Sequence, residues 1–128
     1  MTNFVDSDVL VLAFIVNPKQ DKCYGTIKEG EVLINTLTLL ECYAKISTIR
    51  KDKESTIRTI RSLYKADNIK IVDFDKNLFF EALKRCNTYQ LKISDLVHYT
   101  TAVINGCSAI VSYDRHFDNL EIKRIEPK

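Results

Sequence analysis

The stretch LKISDLVHYTTAVINGCSAIVSYD, residues 91–114, carries the plainest structural signal in the chain. Ser94 stands where a helix cap is expected, and Asp95 falls in the first turn, where the helix dipole favours a carboxylate. The helix is expected to run to Asn105-Gly106, a good C-terminal stop. Ala109–Ser112 then reads as a short buried strand, with Asp114 at the turn that ends it. A helix feeding straight into a buried strand is the repeating unit of a sheet covered by helices.

The same alternation extends through the rest of the sequence. Asn3–Val5 reads as a first strand and Asp6-Ser7-Asp8 as a turn. The run Val9–Val16 follows, as a helix or, given its β-branched content, a continuous buried strand. Residues 19–30 suggest a helix ending near Gly30, and Val32–Asn35 a compact strand. Helices are expected over Thr38–Arg50 and Ser55–Ala66, the second with an apolar stripe of Ile57, Ile60 and Leu63. Ile69–Asp73 reads as a strand. Asp75 is the expected N-cap of a helix burying Leu78, Phe79, Ala82, Leu83 and Cys86. Leu120–Ile125 is the expected edge strand. The fold class predicted is α/β, a three-layer α/β/α sandwich around a mostly parallel sheet.

At 128 residues the chain is expected to form one domain spanning 1–128. A hydrophobic share of 45% and a charged share of 28% fit a globular protein with its own core. A net charge of +2 is too small to imply non-specific nucleic-acid binding by itself. Cys23, Cys42, Cys86 and Cys107 have no C-x-x-C spacing, which argues against zinc. No signal peptide is visible, and the eight-residue run Val9–Val16 is too short to span a membrane. A reducing cytoplasm is the expected setting, with the cysteines as free, mostly buried thiols.

Asp6, Glu41, Asp95 and Asp114 stand where an apolar segment stops or a helix begins. In a doubly wound sheet such positions converge on one crevice. Each has a local explanation. Asp6 and Asp114 suit turns or caps, and Glu41 completes a capping-box pattern, Thr38-Leu39-Leu40-Glu41. Yet Glu41 lies between Leu40 and Cys42 and is expected to face partly inward. Four separate explanations at one end of a sheet are less economical than one shared site. Crowded carboxylates call for a hard cation such as Mg²⁺ or Mn²⁺.

The segments FVDSDVL (4–10), NTLTLLECYAKI (35–46), LKISDLVHYTTAVINGC (91–107) and AIVSYDRHFD (109–118) resemble the four acidic motifs of PIN-domain ribonucleases, among them the toxins of VapBC toxin–antitoxin pairs. The resemblance covers nearly the whole chain, and the third segment is its most distinctive part. It implies that Asp6, Glu41, Asp95 and Asp114 form a metal-binding, catalytic quartet, with Ser112 beside it and Asp118 as auxiliary carboxylate. Asp8 departs from the pattern, since many members have Asn there. The implied activity is metal-dependent hydrolysis of RNA phosphodiesters, without a covalent enzyme intermediate. Asp6 and Asp95 would be direct ligands, while Glu41 and Asp114 orient water or hold a second ion. An antitoxin partner and a homodimer are implied as well.

Between Lys45 and Lys70 there are eight basic residues and three acidic ones, a local surplus of five that could track an RNA backbone. Arg50, Lys51, Arg58 and Arg61 are the candidate substrate-binding residues, although a solvated pair of helices explains the surplus equally well. His98, one turn from Asp95, and His116, close to Asp114, could each touch substrate, but a polar surface role is expected for both. Three other readings compete. A PIN-like fold without chemistry would be an RNA- or protein-binding module. Asp6-Ser7-Asp8-Val9 also resembles the nucleophile motif of haloacid-dehalogenase-type phosphatases, with Asp6 attacking phosphorus. A phospho-acceptor receiver would need Asp73 in its acceptor role and a lysine ending a later strand.

Overall fold

Phe4 and Val5 are adjacent on the first strand and both fully buried, yet they enter different cores. Alternate residues of a strand point to opposite faces, so this pair places the strand between two packed layers. The computed structural model describes residues 1–128 and contains five strands: β1 (Thr2–Val5), β2 (Glu31–Asn35), β3 (Ile69–Val72), β4 (Ala109–Val111) and β5 (Lys123–Ile125). Every adjacent pair is parallel, in the order β3-β2-β1-β4-β5. The order reverses between β1 and β4. It differs from the 2-1-3-4-5 order of receiver-type folds, which removes that reading.

Four helices, α1 (Ser7–Phe14), α2 (Gln20–Glu29), α3 (Thr36–Arg50) and α4 (Lys53–Lys65), share one core with Val5, Val32, Ile34 and Val111. On the other face, α6 (Ile93–Ile104) packs with Phe4, Leu33 and Ile110, and α5 (Lys76–Lys84) packs on α6 through Leu78, Ala82, Leu96 and Val97. The α/β/α sandwich expected from the sequence is therefore the observed architecture, with a wholly parallel sheet. No helix is long and apolar enough to cross a membrane.

Local chemistry explains where these elements begin and end. The run after Asp8 becomes α1 rather than a strand. Asp6 caps it, and Asn17 closes it by donating to the carbonyls of Leu12 and Ile15, each at 2.8 Å. Helix α3 starts two residues earlier than predicted. Its capping box joins Asn35 to Thr38, whose N–H donates to Asn35 Oδ1 at 2.8 Å, so Glu41 is released from the capping role. Helix α6 begins at Ile93, with Lys92 before it and no side-chain cap, so Ser94 is not the cap. At its far end Gly106 takes φ +67°, the left-handed conformation that glycine adopts without strain.

Two apolar faces are narrower than predicted. On α5 only Leu78 and Ala82 are buried, while Phe79, Leu83 and Cys86 are exposed. This helix packs chiefly on α6, so an i, i+4 pair suffices, and Phe79 instead meets Phe74 and Phe80 near the surface, with ring centroids 6.2 and 6.0 Å apart. On α4, Leu63 is buried with Thr56 and Thr59, and Ile57 and Ile60 are half-buried. Strand β5 occupies the edge as expected but spans only its last three residues, while Leu120 and Ile122 pack below it without joining the ladder.

Arg50, one of the candidate substrate-binding residues, is committed to the fold. Its guanidinium donates to Thr59 Oγ1 at 2.8 Å, to the Ser55 carbonyl at 3.2 Å and to the Phe14 carbonyl, tying together the ends of α1, α3 and α4. A lysine carries a point charge rather than a planar fork and cannot serve all three. Arg50→Lys is expected to lower stability by about 1–3 kcal/mol in urea unfolding. Arg58→Ala, on the exposed side of α4, should change it by less than about 0.5 kcal/mol. Equal losses from the two variants would show that the Arg50 fork has no special weight.

Candidate active site

The register that pairs Val5 with Val111 places Asp6, just past β1, beside Ser112, just past β4. The Asp6 N–H donates to the Val111 carbonyl at 3.0 Å, continuing the ladder to the rim of the sheet. Here the strand order reverses, and the crevice of a doubly wound fold opens at such a point. The Ser112 hydroxyl donates to Asp6 Oδ2 at 2.8 Å and accepts from the Asp114 N–H at 2.9 Å. Asp6 Oδ1 accepts from the Ser7 N–H at 2.8 Å. Asp114 caps the 3-10 turn Arg115–Phe117, and its Oδ1 is engaged by the backbone and ring of His116 at 2.9 and 2.7 Å. His116 is exposed, as predicted.

Asp95 reaches the same crevice from α6. Burial pushes its carboxyl above the usual range, and the charges of Asp6 and Asp114 push it further in the same direction. Its Oδ2 is buried and has no hydrogen-bond partner. An unpartnered buried carboxylate oxygen is costly, and native structures tolerate one where something else fills the gap. Asp6, Asp95 and Asp114 therefore share one electrostatic site, although they come from three separate elements.

Glu41 arrives differently. Burial works against its ionised form, but a hydrogen bond from His98, with help from Ser7 and Lys45, holds it below the usual carboxylate range. His98 Nε2 lies 2.7 Å from Glu41 Oε1. His98, expected at a polar surface position, is instead 1% exposed, with its ring against Phe4 at a centroid separation of 5.4 Å. The reason is that α6 is enclosed from Asp95 through Ala102, so His98, in the middle of that stretch, has no solvent side. Asn35 was likewise read only as a strand end. An amide three residues before a threonine at a helix start is the cap pattern that would have singled it out.

Two further carboxylates stand nearby. Asp8 accepts from the Val9 N–H at 2.7 Å and the Tyr113 N–H at 3.1 Å. Burial, and then the charge of Asp6, raise its pKa to about 6. Asp118, predicted as an auxiliary, pairs with Arg124 Nε at 2.7 Å. Arg124 also donates to the Ser112 carbonyl at 2.9 Å and to Glu126 at 2.7 Å, so Asp118 acts on this rim through an arginine rather than by facing the crevice. Lys45, Lys51, Arg58 and Arg61 are all exposed.

No group of three or more His, Cys, Asp or Glu side chains stands close enough to form a complete ligand cage. The donor chemistry nevertheless suits a hard cation. Magnesium keeps most of its waters and needs only one or two carboxylates with substrate phosphate. Asp95 Oδ2, unpartnered beside Asp6, is such an oxygen.

Asp8 generates a pH prediction. Its carboxyl is raised from the ordinary carboxylate range to about 6, so folding favours the protonated form. The resulting stabilisation is complete below about pH 4 and lost as pH rises through about 6. In chelator, wild-type stability should therefore fall relative to that of Asp8→Asn across this window, by roughly 2–3 kcal/mol. Urea midpoints at pH 4, 5, 6, 7 and 8 measure it, and parallel curves would remove Asp8 as the titrating group.

Comparison with known proteins agrees with this architecture. A family model described as the PIN domain matches residues 4–123. No curated protein matches the sequence. Among solved structures, the chain is similar to Mycobacterium tuberculosis VapC20, a sarcin–ricin-loop-cleaving toxin, with a TM-score of 0.72 and 12% identity over 88% of this chain and 90% of that one. It is similar to a chain of a toxin–antitoxin complex from Klebsiella pneumoniae, with a TM-score of 0.75 and 12% identity over 98% of each. It is also similar to a chain of VapBC2 from Rickettsia felis bound to a promoter DNA fragment, with a TM-score of 0.73 and 17% identity over 100% of each. At such identities the likeness speaks for the fold alone. Asp6 opens the crevice within the matched span and Asp114 closes it, and the chain belongs to the PIN domain family.

Proposed function

We propose that this protein is a Mg²⁺- or Mn²⁺-dependent endoribonuclease, the toxin of a toxin–antitoxin pair acting in the cytoplasm. The observation that carries the reading is the buried, unpartnered Oδ2 of Asp95, set among the charges of Asp6 and Asp114. Asp6 and Asp95 would hold the cation, with Asp114 and Glu41 binding through water or completing a second position. When bound, such an ion offsets the carboxylate repulsion, withdraws charge from a phosphate oxygen and makes a water more acidic.

The chain's own groups do the rest. Ser112 holds Asp6 Oδ2 in place through its hydroxyl. Glu41, kept ionised, accepts a hydrogen bond from the attacking water and turns its oxygen toward phosphorus. In-line attack forms one P–O bond as the bond to the leaving oxygen breaks, with no covalent enzyme intermediate. Asp6 is engaged by both Ser7 and Ser112, and in this role it is a ligand rather than the nucleophile of the phosphatase reading.

Lys45, one turn beyond Glu41 on α3, begins an exposed basic track that continues through Lys51, Arg58 and Arg61 and suits an RNA backbone. The likeness to chains from toxin–antitoxin complexes supports an antitoxin as protein partner. The family resemblance adds a second copy of the chain as homodimer partner.

Cleavage of a fluorescent RNA in Mg²⁺ or Mn²⁺ tests this directly. Asp95→Asn should lose at least about 100-fold in rate, and chelator should abolish cleavage by the wild type. In chelator the variant should melt no lower than wild type, because it removes a repelled carboxylate. Metal at ten times its dissociation constant should stabilise the wild type by about 1.4 kcal/mol and the variant by less. Full-rate cleavage by Asp95→Asn would overturn the assignment.

A further inference from the structure

We propose that His98, held with its proton on Nε2 by the side-chain amide of Asn35, is a positioning residue that orients the Glu41 carboxylate. The inference deepens the nuclease reading and rests on it for its catalytic consequence. Its geometry stands without it.

The proton assignment follows from a chain of donors and acceptors. The Thr38 backbone N–H can only donate, and it meets one end of the Asn35 amide at 2.8 Å, so that end is the oxygen. The Thr38 hydroxyl donates to the same oxygen at 3.0 Å. The other end is therefore the NH₂ group, which can only donate. It faces Thr101 Oγ1 at 2.9 Å and His98 Nδ1 at 3.2 Å. Thr101 donates its own proton to the Val97 carbonyl at 2.7 Å, which leaves its oxygen free to accept from Asn35. All hydrogen-bonding positions of the amide are then used, and His98 Nδ1 must present a lone pair. The ring proton is left on Nε2, pointing at Glu41 Oε1 2.7 Å away.

The consequence is mechanical. Glu41 sits on α3, in the layer on one side of the sheet, and His98 on α6, on the other side. Asn35 ends β2 between them and caps α3 with the same amide. The ring cannot swing, because it is buried against Phe4. A flexible glutamate is thus anchored by a donor that stands one helical turn beyond Asp95 and whose own orientation is fixed by the fold. Partners of this kind commonly change activity on the order of 10- to 100-fold when lost.

The test uses three variants of the full chain. In Asn35→Asp the cap oxygen survives but the NH₂ donor becomes an acceptor, so a proton should appear on His98 Nδ1. Imidazole ¹⁵N spectra in chelator should show Nε2–H in wild type and a protonated Nδ1 in this variant. His98→Leu should keep RNA KM within a few-fold, lower kcat on the order of 10- to 100-fold and shift the Glu41 carboxyl ¹³C resonance. His98→Gln, which restores a donor near the Nε2 position, should recover most of kcat and the wild-type resonance. Nδ1–H in the wild type would overturn the proposal. So would an unshifted Glu41 resonance in His98→Leu, or equal kcat losses in His98→Leu and His98→Gln. If the wild type cleaves no RNA, the nuclease reading fails, and the imidazole and Glu41 signals still decide whether His98 positions the carboxylate.

Discussion

Val5 and Val111 are neighbours in the sheet although more than a hundred residues separate them, and the crevice depends on that pairing. Once β1 and β4 are aligned, Asp6 and Ser112 emerge side by side at the sheet rim, and the Ser112 hydroxyl spans the gap to Asp6. The helices after β1 and β2 leave toward one face, while α6 packs on the other. No loop has to search for the site, because strand ends and helix starts deliver its residues. A shift of one residue in this register would turn every buried side chain of β4 to the wrong layer, so apolar packing and the site enforce the same alignment.

Gathering carboxylates at such a place opposes folding, and the structure answers with several partial remedies. Asp6, Asp8 and Asp114 each take backbone N–H donors at turns and helix starts. Glu41 has His98. Among these carboxylates only Asp95 has a buried oxygen with nothing to bind, and its raised carboxyl reports the cost of that arrangement. The site is thus close to satisfied by protein groups at its edges and left incomplete at its centre. That distribution suits a proposed cation whose remaining ligands are water and phosphate.

Features that depend on a few neighbouring residues were legible in the sequence. The Asp75 cap, the Gly106 stop, the alternation of helices with buried strands and the acidic residues at strand ends all appear where short-range chemistry put them. What depended on distant partners was not. His98 looks like a surface residue until Asn35, 63 positions away, supplies its donor. Arg50 looks like an RNA-binding side chain until Phe14, 36 positions away, takes its guanidinium. In each case burial of a polar group was decided by tertiary neighbours that no local pattern encodes, whereas the acidic set was recognisable because repulsion demands a common explanation.

Arg124 gives the short edge strand an importance beyond its three residues. From β5 it reaches back to the Ser112 carbonyl, while the Ser112 hydroxyl holds Asp6. An outermost strand is ordinarily the first part of a sheet to fray. In this molecule such peeling would be transmitted inward, since the residue left unsupported is the one that steadies the aspartate at the heart of the cleft. The outer edge of the sheet thereby becomes a structural tether for the serine, and looseness at the periphery becomes looseness at the centre.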